Sequence, residues 1–241
     1  MKTKNLSNQA AATYKMLRYG LAGIAFAFPF VLWIGGYLRA ELPLAGSMSA
    51  YYYESGGMGV MRNEFVGILF AVGALLFAYQ GYSRFEDMAL NVAGVLALGI
   101  AIFPMKWPES TDSSFSLHGA CAISFFICIA YVCICRAGDT LSLIKDEAMR
   151  ERYRLVYRVL GVAMVVCPFL AWALISLMPL RKSAIFFVEL AGIYVFAIYW
   201  VIKTHEARKT KVDEKTCQGK VQAQHHGFID VLRPLPVSVA E

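Results

Sequence analysis

The chain has 241 residues, of which 58% are hydrophobic and only 17% charged, and its mean hydropathy is +0.52. These values exclude an ordinary water-soluble domain built around a single buried core. The formal net charge of +6 could suggest a nucleic-acid partner. The cations, however, lie beside the ends of apolar segments, where anionic lipid headgroups attract them, so we expect membrane lipids as partners and no nucleic acid.

Six apolar segments follow one another along the chain. A helix of about 20 residues crosses the hydrocarbon core of a bilayer, and five uncharged stretches reach about that length. The sixth stretch is apolar apart from one carboxylate, Glu189. We therefore predict an all-α fold, a bundle of six transmembrane helices, with spans at about 19–38, 65–83, 88–105, 113–135, 159–180 and 183–202.

The distribution of lysine and arginine predicts the orientation of these spans. If both termini are cytoplasmic, 18 of the 23 basic residues lie on the cytoplasmic side, as the positive-inside rule requires. Residues 1–18 then form a cytoplasmic segment, 19–202 the transmembrane domain, and 203–241 a polar tail that we expect to be flexible. The first apolar run lacks a clear cleavage site, so we interpret it as a retained helix and not a signal peptide.

The outer loop between the first two spans, residues 39–64, is the longest predicted outer connection. It carries Ser47 and Ser49, followed by the consecutive tyrosines Tyr51, Tyr52 and Tyr53. Tyrosine rings suit the headgroup zone of a membrane, so interfacial anchoring is one explanation of this composition. The other explanation is that these serine and tyrosine side chains contribute to a binding site.

Glu189 is the most informative single residue. An unpaired charge in the bilayer costs about 2.5 to 3.5 kcal/mol, so this carboxylate should face the bundle interior with a partner or a proton. The same outer half of the membrane holds three candidate partners, Arg62, Lys106 and His118. A purely structural interpretation also exists, in which a Glu189–Arg62 pair fixes helix register and His118 caps a helix.

Two sets of site residues follow from this position. The candidate catalytic residues supply a base or acid and a nucleophile, and they are Glu189, His118, Ser47 and Ser49. The candidate binding residues combine charge and aromatic surface, and they are Arg62, Glu189, His118, Tyr51, Tyr52, Tyr53 and Lys106. We expect all of them around one outer cavity.

Two further features lie on spans two and three. Asp87 and Asn91 are four residues apart with Gln80 nearby, which predicts an interhelical polar clasp on the inner side. Span two also carries a row of small residues that predicts close helix packing. This row is Gly67, Ala71, Ala74, Ala78 and Gly81.

Metal, cofactor and disulfide chemistry is not expected. Five of the six cysteines fall in predicted spans and Cys217 falls in the tail, which leaves no pair in an outer loop. No CxxC motif or Cys/His spacing typical of zinc is present. We therefore predict no metal site and no cofactor.

Four stretches of sequence resemble a family of uncharacterised bacterial six-helix integral membrane proteins. They are SMSAYYY (47–53), RNEFVGILFAVGALLFAYQGYSRFED (62–87), NVAGVLALGIAIFP (91–104) and FFVELAGIYVFAIYWVIK (186–203). The resemblance implies a multi-pass protein of the bacterial cytoplasmic (inner) membrane. That family is loosely similar to DRAM and Frag-type proteins, the latter linked to remodelling of GPI lipids.

A more distant similarity connects that family to alkaline-ceramidase and adiponectin-receptor type membrane hydrolases. These hydrolases use a serine, an aspartate and three zinc-binding histidines in a seven-helix bundle. Here His118 is the one histidine well placed within a predicted span. The resemblance therefore does not imply a zinc amidase.

Three functions remain open from the sequence. The first is binding of a lipid headgroup or small amphiphile in the outer cavity, and the second is a lipid hydrolase or headgroup transferase. The third is a non-catalytic accessory or assembly subunit, as a homo-oligomer or with a membrane-protein partner. An ATPase is excluded because GxxxxGK[ST] is absent, and no filter-like segment favours an ion channel.

Overall fold

The computed structural model describes residues 2–53, 59–105, 116–176, 183–223 and 237–239. Its principal elements are six helices: α1 (Lys2–Ala40), α2 (Arg62–Ala78), α3 (Arg84–Ile102), α4 (Leu117–Tyr131), α5 (Glu147–Ser176) and α6 (Ala184–Thr210). A π-helix, Val132–Arg136, continues α4, and two short 3₁₀ helices span Ser49–Tyr52 and Asp139–Leu143. A short α7 (Val212–Cys217) and two three-residue strands, β1 (Val221–Ala223) and β2 (Val237–Val239), complete the described chain.

The six long helices form a closed ring. Each helix from α1 to α6 packs on the next in the chain, and α6 returns to pack on α1. We call the end that holds α7 and the α2–α3 turn the inner end, and the end that holds the 3₁₀ helix Ser49–Tyr52 the outer end. The strands β1 and β2 pair antiparallel, with Val221 opposite Val239. The all-α prediction therefore holds for the bundle, and the tail adds this small sheet.

Four of the described helical stretches are long and apolar enough to cross a membrane. They are Leu6–Ala40, Arg84–Ile102, Leu117–Leu143 and Ile185–Thr210. Large apolar side chains such as Phe26, Trp33 and Phe77 are exposed on the outside of the ring. Because such surface is stable only against lipid, the chain is an integral membrane protein.

The second and fifth predicted spans have different bounds from the helices observed. Helix α2 has 17 residues and ends at Ala78, short of the predicted end at residue 83. Ser83 accepts a hydrogen bond from the Glu86 amide and so caps α3, which makes residues 84–87 the first turn of a helix and not a loop. Helix α5 begins at Glu147, ahead of the predicted start at residue 159, and residues 177–180 of the fifth span lie outside the described residues.

Helices extend into both terminal segments. Residues 2–18, predicted as a separate segment, continue into the first span as one helix. At the other end, α6 extends beyond the predicted span to Thr210, where Lys211, with φ 53°, redirects the chain into α7. Gln218 beside α7 donates to Ser7 of α1 at 3.4 Å, so both segments lie at the inner end.

Candidate functional site

The outer loop folds back into the bundle and does not lie flat at its surface. After α1, Glu41 adopts φ 50°, and the following segment returns so that Met48 and Tyr51 are almost fully buried. The Phe186 amide at the start of α6 donates to the carbonyl of Gly46 at 2.9 Å. These contacts fix the short 3₁₀ helix Ser49–Tyr52 against the outer turn of α6.

Glu189 meets the beginning of this 3₁₀ helix. The Met48 amide donates to Oε2 of Glu189 at 2.5 Å, and the Ser49 hydroxyl lies 2.9 Å from Oε1. A carboxylate is a favourable acceptor at a helix start because the first backbone amides there have no partner within the helix. Thus the loop supplies the polar partners that a carboxylate inside the bundle requires.

His118 completes a three-residue group with Ser49 and Glu189. Its Nε2 lies 2.9 Å from the Ser49 hydroxyl, and its Nδ1 lies 2.9 Å from the carbonyl of Phe103 and 3.1 Å from that of Ile100. Carbonyl oxygens only accept, so Nδ1 carries a hydrogen and Nε2 faces Ser49. The serine hydroxyl has one proton for two acceptors, and a further proton on Glu189 or His118 completes the second hydrogen bond.

These three residues stand at one end of a narrow cavity of about 90 Å³. Side chains from α1, α2, α3, α4 and α6 line the remainder, and those are entirely apolar. The apolar wall includes Phe28, Leu69, Phe125, Ile193 and Phe196. The cavity therefore presents hydrogen-bonding groups at one end and hydrocarbon surface along its length.

Arg62 does not join this group, contrary to the expectation from sequence. Its Nε donates to the carbonyl of Tyr52 at 3.2 Å, and its guanidinium lies 4.6 Å from the centre of the Tyr52 ring. The structural alternative of a Glu189–Arg62 pair is also not observed, because Glu189 contacts Met48 and Ser49 instead. Lys106, the other predicted cation, lies outside the described residues.

The remaining outer-loop candidates support the loop and do not line the cavity. Ser47 accepts from the Ala50 amide at 3.0 Å, and Tyr51 accepts from the Ala45 amide at 3.3 Å. The rings of Tyr52 and Tyr53 lie 4.9 Å apart in an edge-to-face arrangement. Of the predicted residues, the structure brings together Glu189, His118 and Ser49.

The predicted inner clasp forms only in part. Asp87 accepts from the Gly81 amide at 3.2 Å and from the Asn91 side chain at 3.3 Å, so these contacts lie within α3 and the preceding turn. Gln80 instead accepts a hydrogen bond of 3.4 Å from Tyr14 of α1. The link between helices thus runs through Gln80 and Tyr14.

A buried charge network at the inner end was not anticipated from the sequence. Lys203 and Glu206 form a fully buried ion pair at 2.9 Å, and Thr140 and Tyr157 donate to the same carboxylate. A second network joins Arg18 of α1 to Asp213 of α7, and Tyr82 donates to that carboxylate at 2.6 Å. In the sequence these cations flank apolar spans, a position that predicts membrane topology and carries no information about their buried partners.

Metal binding finds no support in the part of the chain that the structure describes. Within those residues no group of three or more His, Cys, Asp or Glu side chains could hold a metal ion. Among the described residues, His118 forms hydrogen-bond contacts with Ser49 and with two backbone carbonyls. The arrangement is suited to hydrogen bonding and proton exchange.

Comparison with known proteins gives one distant similarity. The chain is 28% identical over 103 residues to NADH-quinone oxidoreductase subunit N of Mycobacterium sp. (strain JLS). The match covers 39% of this chain and 22% of that protein, so the chain spans about a fifth of the length of this relative. No family model matches the chain, and no solved structure does.

Proposed function

We propose that this membrane protein binds a lipid headgroup or a small amphiphile in the outer cavity. The observation that carries the proposal is the convergence of Ser49, His118 and Glu189 at one end of an otherwise apolar cavity. A polar head would exchange hydrogen bonds with these three residues while a hydrocarbon chain lies against Phe28, Leu69 and Phe125. The cavity volume of about 90 Å³ is smaller than the roughly 150 Å³ of a cavity that holds benzene, so the cavity encloses a short apolar chain and not a whole phospholipid.

The proposal includes a membrane topology. We place the protein in the bacterial inner membrane with both termini cytoplasmic and with α2 and α5 also crossing the bilayer. The 17 residues of α2 are at the lower limit for a span, and the ring of six helices leaves no place for α2 outside the membrane. The inner end of the ring then faces the cytoplasm.

The variant Glu189→Gln tests the binding proposal. The amide keeps the shape of the carboxylate but removes its charge, so co-purified amphiphile should fall by about tenfold, as for loss of a charged hydrogen bond of roughly 1.5 kcal/mol. Mass spectrometry of lipids extracted from the purified chain measures the retention. Thermal shifts with butanol, butanoic acid and butylamine, whose short chains suit the cavity volume, identify the preferred head.

The matched control for this experiment is Glu64→Gln. Glu64 is also at the outer end, but it pairs with Arg39 and does not line the cavity. Its retention of amphiphile should equal that of the unaltered chain. Unchanged retention of amphiphile in Glu189→Gln would refute the proposal. Equal losses of amphiphile in both variants would also count against it, because they would attribute the effect to charge at the outer end in general.

A second candidate is a lipid hydrolase or headgroup transferase. The 2.9 Å contact between Ser49 and His118 favours it, because a serine beside a histidine with a fixed tautomer can act as a nucleophile. Two features weigh against it. His118 Nδ1 faces backbone carbonyls and not a carboxylate, and the nearby amides of Met48 and Ala50 already donate to Glu189 and Ser47. In this case Glu189→Gln would abolish turnover of an acyl lipid.

The third candidate is an accessory subunit of a membrane assembly. The similarity to a protein named as a subunit of an oxidoreductase favours it, although the match covers only part of each chain. Under this hypothesis Glu189 is structural. Glu189→Gln would then lower thermal stability without altering retention of any amphiphile.

A further inference from the structure

A groove of about 550 Å³ lies between α5 and α6 at the inner end, remote from the outer cavity. Arg152 and Lys209 line its mouth, together with one carboxylate, Asp146. Both cationic side chains are exposed. The mouth therefore carries an excess of positive charge that is accessible from the surface.

Arg152 and Lys209 differ from Arg150 and Arg154 in their contacts. Arg150 and Arg154 on the same helix form ion pairs with Glu147 and Glu151. No described residue pairs with Arg152 or Lys209. The groove thus holds two exposed cations that form no ion pair with a described residue, whereas Arg150 and Arg154 are already matched by acids.

The groove changes from polar to apolar along its length. Beyond the two cations, Tyr153 and His205 form a hydrogen bond of 2.9 Å across the helix pair. Further toward the membrane the walls consist of Val156, Val201 and Ile202. From Lys209 to Val201 the helix rises about 12 Å at 1.5 Å per residue. This rise exceeds the depth of one headgroup region, about 5–7.5 Å, so the groove extends from the headgroup region into the hydrocarbon.

We propose that this groove is a specific site for an anionic phospholipid. The phosphate lies between Arg152 and Lys209, the Tyr153–His205 pair contacts the glycerol region, and an acyl chain runs along Val156 and Val201. Charge complementarity selects the phosphate, and the apolar wall selects a lipid over a free phosphate. The site is independent of the amphiphile proposed for the outer cavity.

The double variant Arg152→Gln/Lys209→Gln tests this site in the full-length chain. The purified protein is placed in mixed phosphatidylglycerol and phosphatidylcholine micelles, and native mass spectrometry measures the ratio of the two lipids that it retains. Two cations near a membrane surface together favour an anionic lipid by about thirtyfold, so the phosphatidylglycerol preference should fall by a factor of that order. The charge-preserving variant Arg152→Lys/Lys209→Arg should keep most of the preference.

The matched control is Arg158→Gln/Arg208→Gln, which removes two exposed cations from the same helices outside the groove. It should retain the preference. If this control loses as much of the phosphatidylglycerol preference as the groove variant does, the preference comes from non-specific attraction to surface charge. An unchanged preference in the groove variant would refute the proposed site. Thermal unfolding in phosphatidylcholine alone checks that all variants fold.

A further comparison distinguishes a lipid from a soluble ligand. Short-chain dihexanoyl phosphatidylglycerol should raise the thermal stability of the unaltered chain, whereas glycerol phosphate or inorganic phosphate at the same concentration should not. Stabilisation by the soluble phosphates alone would contradict a phospholipid site. In that case the groove would bind a soluble anion.

Discussion

At the scale of single residues, the decisive feature is how each charge inside the bundle finds partners. The Glu189 carboxylate needs hydrogen-bond donors within the membrane, and a backbone amide and a serine hydroxyl of the outer loop supply them. At the inner end Lys203 and Glu206 satisfy one another together with Thr140. The same requirement is thus met by hydrogen bonds at one end and by an ion pair at the other.

The Lys203–Glu206 pair leads to a stability prediction. Glu206→Ala leaves a buried ammonium without its carboxylate and should destabilise the protein by about 3–5 kcal/mol. Glu151→Ala breaks the Arg154–Glu151 pair, which has the same spacing but is exposed, and should cost at most about 0.5 kcal/mol. Denaturant unfolding of the purified chain in detergent measures both. Equal losses would mean that burial does not determine the strength of this pair.

At the scale of helices, α2 and α3 approach each other through glycines that the sequence did not single out. A Cβ at Gly73 would lie 2.9 Å from the backbone oxygen of Gly94, and a Cβ at Gly94 would lie 2.9 Å from that of Gly73. The predicted row of small residues instead lies on another face, where Gly67, Ala74 and Ala78 are exposed. Small residues on α2 therefore do mediate packing, but at a different position from the one predicted.

This close approach can be tested with two alanine substitutions on one helix. Gly73→Ala should force α2 and α3 apart and destabilise the protein by about 1–3 kcal/mol, as overpacking does. Gly67→Ala adds a methyl group where no atom lies within 4 Å, so it should be neutral or slightly stabilising. Thermal unfolding distinguishes the two variants. A neutral Gly73→Ala would show that the helix pair can separate without cost.

At the scale of the whole molecule, the contact between α1 and α7 places the two terminal segments at the same end of the ring. Arg18 of α1 and Asp213 of α7 form an ion pair, and Gln218 donates to Ser7. This geometry agrees with an even number of spans. The distribution of basic residues predicts that this end faces the cytoplasm.

The orientation can be tested by labelling with a membrane-impermeant maleimide. Cys217 should react only after the inner membrane is permeabilised, whereas Asn63→Cys in a Cys217→Ser background should react in spheroplasts with an intact membrane. Burial, with Asp213 nearby, raises the pKa of the Cys217 thiol, so its labelling should accelerate as the pH rises through the alkaline range. Labelling of Cys217 without permeabilisation would reverse the proposed topology.

The sequence by itself determined the features that depend on local composition. Long apolar segments between sparse charges predict membrane helices, since hydrocarbon excludes unsatisfied backbone groups. The single carboxylate Glu189 signalled a buried polar site because its charge must be compensated. Residue type and approximate position relative to the membrane also identify His118 and Ser49 as candidates.

Only the tertiary structure decided which of the candidates meet. The loop turns inward after Glu41, which brings Ser49 to Glu189 and leaves Arg62 stacked on Tyr52. The packing of the helices at the inner end buries Arg18 and Lys203, which by sequence alone resemble ordinary cations beside membrane spans. Arg18 and Asp213 are separated by 195 residues in the sequence. Composition carries no information about contacts between residues so far apart.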